Sequence, residues 1–200
     1  MDQSELLRHV TNVLNRMAIP YAIVGSWASG LYGEGRMTFD IDIVLDLKLF
    51  QIKEFCEAFP TDEYYLSESD VKDAVRARFQ FNLIHPKSGN KVDFIQCRMD
   101  SWHANQLARR RDTILHTNTG PITCSLAAPE DVILGKLWYH SEGGGDRHLR
   151  DIAGMVRISR QLINMDEVTR WATSLGYLPA WSKAIEKADG PELPPGPGVP

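Results

Sequence analysis

Asp40 and Asp42 stand two apart in the segment TFDIDIVLDL at 38–47. Its alternation of β-branched and polar residues predicts a strand, and residues two apart on a strand share a face. Ile41 and Ile43 then face a core while two carboxylates share the other side. Two such carboxylates cannot both be buried without a cation. Hard oxygen donors placed this way suit Mg²⁺ or Mn²⁺. Asp93 offers a third carboxylate, between Val92 and Phe94 in KVDFIQCR at 91–98, a second predicted strand. Three carboxylates on adjacent strands are the usual protein half of a two-metal phosphoryl-transfer site.

Upstream, Gly25-Ser26 follows the short apolar run YAIV at 21–24 and opens WASGLYG, a short helix. Glycine permits a tight turn and a close backbone approach. The free N–H groups of the helix start, with the Ser26 hydroxyl, suit a phosphate. Taken singly, an Asp-x-Asp pair also fits a solvated strand face, and a Gly-Ser pair also fits a plain turn. Their joint occurrence, in this order on these elements, carries the phosphoryl-transfer reading.

The elements that must position these residues alternate between helix and strand. A first helix has Leu7, Val10, Leu14 and Met17 at helical spacing, with Ser4 as its cap and Pro20 after its end. KLFQIKEFCEAF at 48–59 has helical spacing, and SDVKDAVRA at 69–77 reads as a shorter helix capped by Ser69. RFQFNLIHP at 78–86 and KVDFIQCR at 91–98, joined by KSGN, form a hairpin. WHANQLARRRDTIL reads as helical and GPITCSL as one more short strand. Pro129, with Glu130 and Asp131 beside it, starts a helix that runs through VILGKLWYH. After the break GGG at 143–145 come helices in DRHLRDIAGMVRIS and DEVTRWATSLG. The expected fold is α/β: a mixed β-sheet flanked by helices over residues 1–127, then a helical C-terminal portion over 128–188. Residues 189–200 read as a flexible tail, since PELPPGPGVP holds five of the eleven prolines.

At this point the chain resembles the nucleotidyltransferase superfamily related to DNA polymerase β. That signature is an apolar residue, Gly, Gly or Ser, a spacer, then Asp-apolar-Asp-apolar. Here it stands as Val24-Gly25-Ser26, thirteen residues, and Asp40-Ile41-Asp42-Ile43. The words RMTFDID, KVDFI and PEDVILGKL, followed by a helix with RDI, are similar to small prokaryotic nucleotidyltransferases of the AbiEii-toxin-like and related groups. The resemblance covers residues 5–160. It implies a nucleotidyltransferase fold and transfer of a nucleoside monophosphate from a nucleoside triphosphate such as ATP to a hydroxyl acceptor, releasing pyrophosphate. Asp40, Asp42 and Asp93 would bind two Mg²⁺ or Mn²⁺ ions, and Asp93 would help to deprotonate the acceptor. Gly25 and Ser26 would hold the triphosphate, and Lys136 would lie near it. Arg36 and Thr38 precede the first Asp, and Arg36 would reach phosphate oxygens; a surface-loop arginine is the other reading. Asp151 would orient Lys136 or the base, or else pair within its own helix with Arg147 or Arg150.

The acceptor separates the remaining readings. A toxin-like enzyme would modify tRNA or a protein and pair with an antitoxin-like partner. The run Arg109-Arg110-Arg111 is its support, although as a helix face such a run is commonly just solvated. A small-molecule adenylyltransferase of the antibiotic-modifying type is the alternative. A non-catalytic nucleotide- or partner-binding module is a third reading, from another class, and the intact carboxylates argue against it. Trp102 and His103 could stack on a base, with Trp102 better read as core. His140 and His148 flank GGG without a ligand set for zinc. Among Trp27, Tyr32, Trp138 and Tyr139, near the site, packing is the safer reading.

Composition is ordinary for a soluble, globular chain. The 200 residues are 43% hydrophobic and 24% charged with net charge −4, which excludes wholesale disorder, collagen and a general polyanion coat. No run reaches the ~18 apolar residues of a spanning helix. The N-terminus lacks the basic-then-apolar order of a signal peptide. Three separated cysteines argue against a disulfide framework. A cytoplasmic protein with neither membrane nor DNA as partner is expected.

Overall fold

The computed structural model describes residues 1–35, 38, 40–99 and 101–190. Helix α1 (Gln3–Arg16) opens with a capping box in which Asp2 accepts from Glu5 N at 2.8 Å and Glu5 accepts from Asp2 N at 2.7 Å. The cap is Asp2, not the expected Ser4, because Ser4 already lies inside the first turn. Leu6, Leu7, Val10, Val13 and Leu14 form its buried stripe.

Strand β1 (Tyr21–Ile23) leads directly into helix α2 (Gly25–Tyr32), and strand β2 runs Asp40–Leu45. A 3₁₀ turn at Leu49–Gln51 precedes α3 (Ile52–Glu57), so the helix expected at 48–59 is shorter. Helix α4 (Glu68–Ala77) is capped by Ser67, which accepts from Asp70 N at 3.3 Å, in place of Ser69. Arg78 takes φ +50 as its C-cap, which delays strand β3 to Gln80–His85; β4 is Asn90–Gln96.

The main departure lies at 102–115. A 3₁₀ segment at Ser101–Asn105 is followed not by a helix but by strand β5 (Arg111–Thr117). It turns through Asn118-Thr119 into β6 (Gly120–Leu126), with Thr117 opposite Gly120 at φ +103. The segment TILHT was a strand signal outweighed by LARRR before it: pairing with β5 satisfies the open edge of β6, which a helix would leave unpaired. Trp102 is buried, as the core reading expected, and the ring of His103 stacks on it.

The six strands make one mixed sheet in the order β3-β4-β2-β1-β6-β5. Strands β2 and β4 are parallel, as are β1 and β6; the other neighbours are antiparallel. Helices α5 (Pro129–Ser141), α6 (Arg147–Ser159), α7 (Met165–Ser174) and α8 (Leu178–Asp189) follow. The α8 helix was not separately anticipated and takes in Asp189, where the tail was expected to begin. Helices α5 and α6 pack on α2 and on each other, and α8 packs on α6. One buried apolar cluster runs from Leu6 to Ala188 through both sheet and helices. Tyr32 ties these layers together: its hydroxyl donates to Ala127 O at 2.9 Å, and its own carbonyl accepts from Ser159 Oγ at 2.6 Å. Among the described residues no helix is long and apolar enough to cross a membrane.

Candidate active site

The sheet register brings the carboxylates together. Asp42 on β2 lies opposite Asp93 on β4, and Asp40 lies opposite Lys91. Opposite residues of paired strands share a face, so Asp40, Asp42, Lys91 and Asp93 stand side by side. Ile41, Ile43, Val92 and Phe94 fill the other face and are fully or almost fully buried. The hydrophobic alternation therefore aims the acids.

Asp42 is half-buried between its neighbours. Burial pushes its carboxyl up to about 6, with the like charges of Asp93 and Asp40 adding and Lys136 and Lys91 opposing. Asp93 is held on both oxygens. Lys91 Nζ lies 2.9 Å from its Oδ2, and the Asn82 amide, oriented by its neighbours, donates to Oδ1 at 2.7 Å. Lys91 also reaches Asp40 Oδ1 at 3.6 Å. Burial alone would lower the Lys91 pKa, but its hydrogen bond to Asp93 and the charges of Asp93 and Asp40 raise it.

The Gly25-Ser26 turn is built against this cluster. Val24 N donates to Asp42 O at 2.9 Å, which extends the β1–β2 pairing by one residue. Gly25 then takes φ +62 at the first position of α2, a conformation that disfavours any side chain. The N-terminal turn of α2 is therefore seated beside Asp42, with Ser26 half-buried and its carbonyl accepting from Ser29 Oγ at 3.2 Å. Thr38 Oγ1 donates to Asp40 O at 3.4 Å. Arg36 lies outside the described residues.

Helix α5, which packs on α2, adds two more residues. Lys136 and Tyr139, one turn apart on one face, both interact electrostatically with Asp42. Lys136 is buried, and its Nζ lies 2.6 Å from Asp151 Oδ2 on α6. Asp151 thus pairs with Lys136, in addition to whatever its own helix supplies. The Tyr139 ring is partly exposed and stacks on His148 at 6.0 Å and 16°. Burial raises its hydroxyl pKa, and Asp42 and Asp93 raise it further.

The arginine run is not one helix face. Arg109 forms ion pairs with Asp131 on α5 and Glu167 on α7, Arg110 donates to Leu107 O, and Arg111 begins β5. Asp131 is almost wholly buried, and that burial, opposed by Arg109, pushes it up to about 6. Its neighbour Glu130 accepts from Asn164 N at 2.7 Å. The two acids at the start of α5 hold the helices together.

Lys91 and Asn82 were missed as site residues. Lys91 carried a signal, since a residue two before Asp93 on a strand must share its face. Asn82 carried none, because its place beside Asp93 depends on the β3–β4 register.

The donor chemistry fits a divalent cation: three carboxylates on one face of two paired strands. As the side chains stand, however, no three acidic, histidine or cysteine groups among the described residues are gathered closely enough to hold one.

No family model matches the chain, and no curated protein sequence matches it. Solved structures do. An antigenic nucleotidyltransferase-like protein from Paracoccidioides brasiliensis is similar over 92% of this chain and 92% of its own, at 20% identity and a TM-score of 0.50. The antibiotic-resistance factor ANT(2'')-Ia is similar over 93% of this chain and 98% of its own, at 14% identity and a TM-score of 0.52. The order of helices and strands and the mixed sheet of this chain are those of the nucleotidyltransferase fold.

Proposed function

We propose that this protein transfers a nucleoside monophosphate from a nucleoside triphosphate to a hydroxyl acceptor and releases pyrophosphate. The observation that carries this reading is the register of Asp42 against Asp93, with Asp40 beside them and the Gly25-Ser26 turn backed onto Asp42. That arrangement supports a phosphate anchor beside an array of hard oxygen donors.

In this reading the backbone N–H groups of Gly25 and Ser26, with the Ser26 hydroxyl, orient the triphosphate, and Thr38 lies on its approach. Asp40, Asp42 and Asp93 would hold two Mg²⁺ or Mn²⁺ ions, which would neutralise the triphosphate and acidify the acceptor hydroxyl. Asp93 accepts the proton from that hydroxyl. Lys136, fixed by Asp151, adds positive charge behind Asp42. Positioning and charge neutralisation supply most of the rate.

Among acceptors, two observations favour a small molecule over tRNA. Arg109, the first residue of the run expected to contact RNA, is engaged with Asp131 and Glu167, and the chain is net acidic. Similarity to a protein described as an antibiotic-resistance factor points the same way. A toxin-like enzyme acting on tRNA or a protein, with an antitoxin-like partner, is the second reading.

The test is label transfer from each α-labelled nucleoside triphosphate with Mg²⁺. Separate reactions contain total RNA, total protein and a panel of polyhydroxylated amines, and Asp42→Asn is the control. Label on one acceptor class, absent in the control, identifies both enzyme and acceptor. Nucleotide binding without transfer to any class supports a binding module and ends the enzymatic reading.

A further inference from the structure

The three carboxylates share a face but are not gathered around one point, and a lysine stands among them. Lys91 rises from β4 two residues before Asp93 and opposite Asp40. Its Nζ contacts Asp93 Oδ2 at 2.9 Å and Asp40 Oδ1 at 3.6 Å, bridging the two strands. With Asn82 on Asp93 Oδ1, both oxygens of Asp93 are occupied by groups of this chain. A lysine carries a compact charge on a flexible four-carbon stem, so it can leave without moving the strand. Its side chain is 30% exposed, which leaves it a path into water.

We propose that Lys91 is a tethered counter-cation of the carboxylate cluster, which a divalent cation must displace from Asp93 and Asp40 in order to bind. The proposal rests on the reading of those carboxylates as a metal site. Lys91 occupies oxygens of Asp93 and Asp40 that a cation would need, and a +1 charge there repels an incoming +2 ion at contact distance. Lys91 is thus a positioning residue that sets metal affinity. An ordinary surface ion pair would have no such effect.

The experiment is calorimetric titration of the full chain with Mn²⁺, without nucleotide, for wild type, K91M and K91R. Melting in EDTA confirms folding. K91M is expected to bind Mn²⁺ about tenfold more tightly than wild type, and K91R, which keeps the charge, as wild type does. K91M is also expected to melt lower in EDTA and to gain more on Mn²⁺ addition. An affinity of K91M equal to or below wild type overturns the proposal and leaves the metal site standing. A rise shared by K91R also overturns it, since bulk rather than charge would then be the cause. Failure of all three proteins to bind Mn²⁺ overturns the metal-site reading together with the proposal. If K91M does not fold, K91Q takes its place under the same outcomes.

Discussion

A β-carbon placed on Gly25 would lie 1.9 Å from Oδ2 of Asp42 and 2.7 Å from its Cγ. The Gly25-Ser26 turn and the Asp42 carboxylate are therefore in direct contact, and neither can be altered without consequence for the other. Gly25→Ala adds this overlap to the cost of a side chain at φ +62, and is expected to destabilise the protein by about 2–4 kcal/mol. Chemical denaturation measures it. Because Asp42 supplies the clash, Gly25→Ala combined with Asp42→Ala should cost less than the sum of the two. Additive costs would mean that backbone strain alone requires the glycine.

The Asp42 carboxyl sits at about 6 in the folded chain, above its ordinary 3.8. It takes up its proton more readily folded than unfolded. Its contribution to stability is accordingly complete below pH ~4 and lost as pH rises through ~6. In EDTA, Asp42→Asn is expected to match wild-type stability near pH ~4.5 and to exceed it by roughly 1–2 kcal/mol near pH ~7.5, allowing for partial solvent screening. Thermal melts of both proteins across this range test it. A constant difference would remove burial and like charge as the cause.

Lys136 and Asp151 form a buried pair, with side chains 4% and 8% exposed. Lys136→Met leaves the Asp151 carboxylate in a low-dielectric setting, and should cost about 3–5 kcal/mol by urea denaturation. The double variant K136M/D151L replaces both charges by apolar groups and should recover much of that loss. If the single and double variants are equally unstable, the pair matters for shape rather than charge.

Within the arginine run, Arg109 joins separate elements, through Asp131 and Glu167. Arg109→Met leaves Asp131 buried without its cation and is expected to cost about 3 kcal/mol. Arg110→Met and Arg111→Met, at exposed positions, should stay within ~0.5 kcal/mol of wild type. Melting temperatures of the three variants suffice, and an equal loss at all three would restore the run as a single functional unit.

Much of the site was legible from period alone. Asp40-Ile41-Asp42-Ile43 and Val92-Asp93-Phe94 state in their alternation which side is core and which bears acid. Gly25 following a short apolar run marks a strand-to-helix turn. The segment at 102–115 misled because three arginines and two leucines suit a helix locally, whereas pairing with β6 is a long-range event. Capping by Asp2 and Ser67 was misplaced by two residues each, since Ser4 and Ser69 have equally suitable chemistry and only the first hydrogen bond decides between neighbours.

By itself, then, the sequence determined the alternation of elements, the faces that carry the acids, and the glycine that opens α2, because each depends on neighbours within a few residues. Tertiary structure alone decided that Asp42 stands opposite Asp93, that Lys91 and Asn82 hold Asp93, that Lys136 turns inward to Asp151, and that Arg109 clamps α5 to α7. Each of these is a pairing between distant parts of the chain. Strand register and helix docking select such pairings through the shared hydrophobic core, and charge chemistry then settles on the partners that the core has brought within reach.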